Sequence, residues 1–244
     1  MLKDSDIREP LFDFLENTYG KIRIIEEKTM GRSRADIVMV TPEELYGIEI
    51  KSDADTYGRL ESQVRDYDRF FDRNIAVVGT SHAMHIHEHI PEHWGIITVE
   101  AGDPKPDFYF LRRPGKNPEM DWEKKLSVLW KPELAQIQEW NGMPKYKEKS
   151  RQFVARKIAE RIPDRIREDT LRGQVSGILF ERDYSTVDET LREYRKGEIQ
   201  KQLEAEEDPE KRLLLMTEQA ARGRLLSRNG FRKARKKRKR TLNL

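Results

Sequence analysis

The stretch GIEIKSDADTYGRLESQVRDYDRFFD, residues 47–72, sets Glu49, Lys51, Asp53 and Asp55 at alternate positions just ahead of a helix-like run. Successive strand side chains turn to opposite faces, so Glu49 and Lys51 share one side while Ile48 and Ile50 point into a core. Asp36 heads the apolar run RADIVMV thirteen residues before Glu49, about the length of a hairpin with a short loop. Two carboxylates on adjacent strands can share one hard cation such as Mg²⁺, with a backbone carbonyl and waters completing its shell. A lysine beside them can orient or help deprotonate a metal-bound water and neutralise charge developing on phosphorus. The plainer readings are a solvated face of antiparallel sheet for Glu49 and Lys51, and turn and cap positions for Asp53 and Asp55.

Gln63 and Tyr67 follow one helical turn apart, on a face that can reach such a site or a DNA backbone. Arg59 and Arg65 on the same run are either phosphate contacts or solvated helix charges. All five histidines fall in SHAMHIHEHIPEHW. As a strand this segment would line His85, His87 and His89 along one side, a candidate transition-metal site, but Pro91 and the lack of an acid pair in a fixed frame argue against it. His82, at the end of VVGTSH, suits either a place near the cleft or a packing role.

RADIVMV with Asp36, GIEIKS with Glu49, Ile50 and Lys51, and QVRDY with Gln63 and Tyr67 together resemble the PD-(D/E)XK nuclease superfamily, the restriction-endonuclease-like fold. The long GIEIKSDADTY motif through YDRFFD, VVGTSH and the later SVLW are similar to a bacterial and phage family of such proteins, over roughly residues 6 to 184. The resemblance implies Asp36 and Glu49 as ligands of Mg²⁺ or Mn²⁺, the Ile50 carbonyl as a further ligand, and Lys51 as catalytic base or charge stabiliser. Gln63 and Tyr67 would complete the catalytic set. It also implies an acid on the first helix. Glu9 is the choice by its spacing to Asp36, with Glu16 and, on the first strand, Glu27 as rivals. Ala35 replaces the family's nominal proline, a position that varies. The expected activity is a metal-dependent DNA endonuclease that hydrolyses phosphodiester bonds with metal-activated water. The alternative is a non-catalytic nucleic-acid-binding or assembly protein that keeps the nuclease fold. Nothing in the strand motif reads a 2′-hydroxyl, so RNA stays open beside DNA as substrate.

The elements that must position these residues are legible in outline. Leu11, Phe12, Leu15 and Tyr19 at helical spacing predict a first helix over about residues 5–19, with Asp4 to Asp6 as caps and Gly20 as the stop. KIRIIEEKTM, RADIVMV and YGIEIKS predict an antiparallel three-strand meander. Tyr57, Leu60, Val64, Tyr67 and Phe71 then mark one face of a helix capped by Asp55 or Thr56. NIAVVGTS and WGIITVE read as two further strands. The fold class is α/β, a restriction-endonuclease-like mixed sheet flanked by helices, with a C-terminal helical extension. The expected division is a nuclease-like core over 1–112, a helical subdomain over 113–184 after the turn-rich RRPGKNPEMDW, a charged helical arm over 185–228, and a basic disordered tail over 229–244.

Composition narrows the partners. Charged residues make up 37% of the chain against 36% hydrophobic, so part of it must be solvated. With no cysteine, disulfides, thiol catalysis and Cys-ligated zinc are excluded. The net charge of +3 hides a tail from Asn229 with eight basic residues and no acid: Arg232, Lys233, Arg235, Lys236, Lys237, Arg238, Lys239 and Arg240. Taking that +8 from +3 leaves −5 for the rest. Such a run suits a nucleic-acid backbone, a solubilising end or a targeting signal. The arm would permit a homodimer or a protein partner. No stretch reads as a signal peptide or membrane span, so the expected location is cytoplasmic, with no membrane partner.

Overall fold

The computed structural model describes residues 2–182 apart from Arg32, Ala54 and Pro104. The arm over 185–228 and the basic tail over 229–244 lie outside the described residues. Helix α1 (Asp4–Tyr19) leads into β1 (Arg23–Met30), β2 (Ser33–Val40) and β3 (Leu45–Lys51); then come α2 (Leu60–Phe70), β4 (Arg73–Gly79), α3 (Thr80–Ala83), a 3-10 turn (Ile86–Glu88), β5 (Gly95–Glu100) and β6 (Asp107–Arg112). Four helices follow: α4 (Trp122–Leu126), α5 (Lys131–Trp140), α6 (Arg151–Ala159) and α7 (Glu168–Glu181).

The six strands lie in chain order in one mixed sheet. β1, β2 and β3 form the predicted antiparallel meander, β3, β4 and β5 are parallel, and β6 returns antiparallel to β5. Strand alternation divides the core in two. On one face Ile37, Met39, Ile48, Ile50, Ile75 and Val77 meet Ile7, Leu11, Phe12 and Leu15 of α1. On the other, Val38, Val40, Ala76 and Val78 meet Leu60, Val64 and Tyr67 of α2, and the same cluster runs on through Leu126, Leu134, Ile158 and Leu171 of the later helices. Residues Met1–Arg182 accordingly make one unit, in which the helices beyond residue 112 share the sheet's core.

Two features fix the layers around the site. Gly47 on β3 carries α2: a Cβ there would lie 2.2 Å from the Phe71 ring and 2.6 Å from that of Tyr67. Asp72, between α2 and β4, is buried and held by Lys125 Nζ at 2.5 and 2.6 Å, Arg172 Nε at 2.9 Å and the Leu45 N–H at 2.8 Å. These ties join α4 and α7 to the sheet.

One local expectation is corrected, a reading the sequence disfavoured is excluded, and one strand is new. Helix α2 starts at Leu60 with Arg59 as N-cap, not at Asp55 or Thr56. Asp55 Oδ2 instead accepts from Ser52 N and Oγ at 2.8 and 2.7 Å, closing a turn on the end of β3. The histidine segment is not a strand. Ile86 and Ile90 fill the core from a 3-10 turn and its flank, and His85, His87 and His89 lie on that turn and its ends instead of along one strand face. The sixth strand, DFYFLR, has no counterpart among the predicted elements; its residues alternate exposed and half-buried directly after the turn-rich GDPKP.

Candidate active site

The site lies at the carboxyl end of β3, where β2 parts from it. The β2–β3 ladder closes at Ile37 opposite Ile48, so the next pair in register would be Asp36 opposite Glu49. On the other side of β2, the ladder with β1 omits the pair Glu27–Asp36, and Glu27 takes φ 54°. Asp36 therefore sits at a fork, and side chains replace its strand partners. Its N–H donates to the Tyr67 hydroxyl at 3.2 Å and its carbonyl accepts from Arg8 Nη1 at 3.3 Å. Its carboxylate Oδ2 accepts from the Ile50 N–H at 2.9 Å, standing in for a strand carbonyl.

Glu49 is 1% exposed, and a buried carboxylate must be surrounded by donors. Its Oε2 accepts from the Tyr67 hydroxyl at 2.7 Å, and its Oε1 from Lys51 Nζ at 2.8 Å and Gln63 Nε2 at 2.5 Å. Gln63 Oε1 in turn accepts from Lys51 Nζ at 3.1 Å. The i, i+4 pair of α2 thus reaches the strand pair of β3, and the absent side chain at Gly47 lets it come that close. Asp36, Glu49, Lys51, Gln63 and Tyr67 form one connected set.

The electrostatics follow from burial and proximity. Desolvation, then the Glu49 charge, push the Asp36 carboxyl up to about 7, against the opposing pull of the Ile50 N–H and Arg8. Burial and the Glu49 and Asp36 charges raise the Tyr67 phenol well above its ordinary value, so it acts as a neutral donor. Two carboxylates in mutual repulsion, one of them half protonated at neutrality, are a donor set that a hard divalent cation would relieve. Asp36 Oδ1 is the oxygen with capacity to spare, facing Arg8 Nη2 only at 3.7 Å. Among the described residues no group of three or more acids or histidines could hold a metal, so such an ion would rest on the acid pair with carbonyl and water oxygens. Within those terms the residues fit.

Arg8 is the residue that sequence reasoning missed. It also pairs with Asp4 at 2.6 Å and lies 3.8 Å from Glu26, bridging three acids around the fork. Its only signal in the sequence is the i, i+4 spacing from Asp4, which is ordinary on a solvated helix. Glu9 is exposed, one position beyond Arg8; Glu16 is half-buried farther along α1; and Glu27 is exposed and pairs with Arg34 at 3.4 Å. Asp53 accepts from Ser81 N at 3.2 Å and Oγ at 2.8 Å, tying the end of β3 to the end of β4. Arg59 and Arg65 are exposed, and Arg65 pairs with Glu61. His82 Nδ1 bonds the Tyr57 hydroxyl at 2.9 Å, and the His89 ring packs on Tyr57 with centroids 4.1 Å apart. The basic set Arg232, Lys233, Arg235, Lys236, Lys237, Arg238, Lys239 and Arg240 lies outside the described residues.

Residues 2–205 match the family described as Bacteriophage P4 protein cII, which covers most of the chain. The chain belongs to the bacteriophage P4 cII protein family. No curated protein and no solved structure matches it. In this cII-family protein the matched region takes in the whole of the fork and every residue that lines it.

Proposed function

We propose that this cII-family protein is a Mg²⁺- or Mn²⁺-dependent endonuclease of the PD-(D/E)XK type that hydrolyses phosphodiester bonds in DNA. The observation that carries the reading is the placement of Asp36 and Glu49 next to each other just beyond the last β2–β3 pair, with Lys51 held on the same face as Glu49. Asp36, Glu49 and the Ile50 carbonyl would hold the ion. When bound, it would supply Lewis-acid stabilisation of phosphoryl charge and lower the pKa of a coordinated water. The chain's own residues do the remaining work. Glu49 and Gln63 fix the Lys51 ammonium, so a cation stands beside the acids where a phosphate oxygen gains charge. Tyr67 holds Glu49 and the Asp36 backbone in one frame, so the two carboxylates keep their separation.

A second reading has one observation in its favour. Both Glu49 oxygens already accept hydrogen bonds from three side chains, as they would in a scaffold that binds nucleic acid without cutting it. Cleavage of supercoiled plasmid, linear duplex, branched DNA, single-stranded DNA and RNA, with Mg²⁺, Mn²⁺ or EDTA, separates the two. Metal-dependent cutting that a Glu49→Ala/Lys51→Ala variant loses supports the nuclease. Equal binding by both proteins with no cutting of any substrate hands the site to the scaffold reading.

A further inference from the structure

Positive charge inside the folded unit is gathered in one segment. Residues 145–167 carry nine Lys or Arg and three acids, a surplus of six; since residues 1–228 sum to −5, the remainder of that stretch stands at −11. The segment spans the loop after α5, helix α6 and the turns that follow it. Its cations are held close together. Lys149 Nζ, the Arg156 guanidinium and Lys157 Nζ lie 5.6, 5.7 and 5.8 Å from the centroid of the Phe153 ring. Charges on a merely solvated helix alternate in sign and pair three or four residues apart. Here Arg156 and Lys157 share a single acid, Glu160. Lys147, Lys149 and Arg151 are exposed, and none of them forms a salt bridge among the described residues.

This positive surface reaches the sheet beside the fork. Lys28 of β1 pairs with Ala35, the residue before Asp36. Burial, then the charges of Arg182 and Arg151, pull the Lys28 ammonium below the ordinary lysine range, against the opposing charge of Glu133. Like charges thus crowd from the start of α6 to the edge of β1, and an anion laid across them relieves the repulsion. The fork itself has the opposite sign. Glu26 and Glu27 are exposed next to Asp36, and acids there repel a polyanion. A DNA substrate must therefore be drawn in by a neighbouring surface, and charge complementarity selects the one that carries Arg151 and Lys28.

We propose that Lys28, Lys147, Lys149 and Arg151 line a docking surface beside the fork for the phosphate backbone of duplex DNA. The inference rests on the reading of DNA as substrate, and it places docking within the folded unit, apart from the basic tail. Anisotropy titration of a labelled duplex with the full chain in EDTA, at several salt concentrations, tests it without cleavage. Lys149→Gln/Arg151→Gln is expected to weaken binding roughly tenfold and to make the log–log salt slope shallower by about 1.8, equally on unrelated duplex sequences, because phosphate contacts carry no base information. Lys105→Gln/Lys116→Gln removes the same charge from exposed positions flanking β6, at the opposite edge of the sheet from β1, and is expected to bind as the wild type does. The absence of cysteine allows a local readout: a photo-cross-linker on Gln152→Cys is expected to capture the duplex, and one on Asn17→Cys of α1 to leave it free. Wild-type binding that ignores the Lys149 and Arg151 changes, equal losses in both charge-matched pairs, or equal capture from the two cysteines would each overturn the docking surface and leave DNA as the substrate. A wild type that binds no duplex would overturn the surface and the DNA reading together.

Discussion

At the residue scale, Asp36 makes a pH-dependent claim. Its carboxyl titrates at about 7 in the fold and near 4 in an unfolded chain. Between those values the native state holds a proton that the unfolded state has released, so stability falls as pH rises through that window. The loss once Asp36 is ionised is on the order of 4 kcal/mol. Asp36→Asn keeps an acceptor for the Ile50 N–H and removes the charge. Urea unfolding in EDTA is therefore expected to show a wild-type midpoint that drops from pH 4.5 to pH 8 and a shallower drop in the variant. Mg²⁺ at pH 8 should raise the wild-type midpoint and leave the variant unmoved. Equal slopes in the two proteins would show that another group titrates. Glu49 with Lys51, and Gln63 with Tyr67, could be read from the sequence as pairs because strand alternation and helical spacing put each pair on one face. Arg8 could not, because a charged residue on an amphipathic helix looks the same whether it meets solvent or a fork in the sheet.

At the scale of elements, the packing of α2 on β3 is set by a side chain that is absent. Gly47→Ala would place a methyl within 2.2 Å of Phe71, and neither Phe71 nor Tyr67 has room to retreat in a buried cluster. A loss of about 1–3 kcal/mol is expected by denaturant titration, together with reduced cleavage in the proposed nuclease because Tyr67 withdraws from Glu49. Unchanged stability would mean that α2 slides freely over β3. The Asp72 cluster gives a second, ordered pair of outcomes. Asp72→Ala leaves Lys125 and Arg172 buried without their shared counter-ion, at a cost of roughly 3–5 kcal/mol. Lys125→Met leaves Asp72 with Arg172 and the Leu45 N–H, so it is expected to cost less; the reverse order in thermal unfolding would count against this account. Elements with a strong apolar period were legible: α1, the meander, α2, and β4 with β5. Those that failed did so for local reasons. Asp55 bonds backward to Ser52 instead of forward to the helix, and β6 alternates exposed with half-buried residues directly after its turns.

At the scale of the whole molecule, charge is divided between an acidic body and a basic end. If the final segment meets nucleic acid, removing residues 229–244 should weaken binding and flatten its salt dependence, by up to about 0.9 in the log–log slope for each phosphate that the tail neutralises. Anisotropy titrations of a labelled duplex at several salt concentrations read both quantities, and no change in either would return the tail to a solubilising role. The strand order has a separate consequence, for the birth of the chain. Because β1 to β6 lie side by side in the order of synthesis, each strand leaving the ribosome can dock on the edge formed just before it, across short loops at the antiparallel joins and one crossover at each of the two parallel joins. The last stitches come from far away: Arg172 reaches Asp72 across 100 residues and Ser176 bonds the Thr41 carbonyl across 135. A nascent chain halted before α7 should thus hold an assembled sheet whose Asp72 has Lys125 and still awaits Arg172, a species that pulse proteolysis of stalled chains would reveal as protected through β6 and α4.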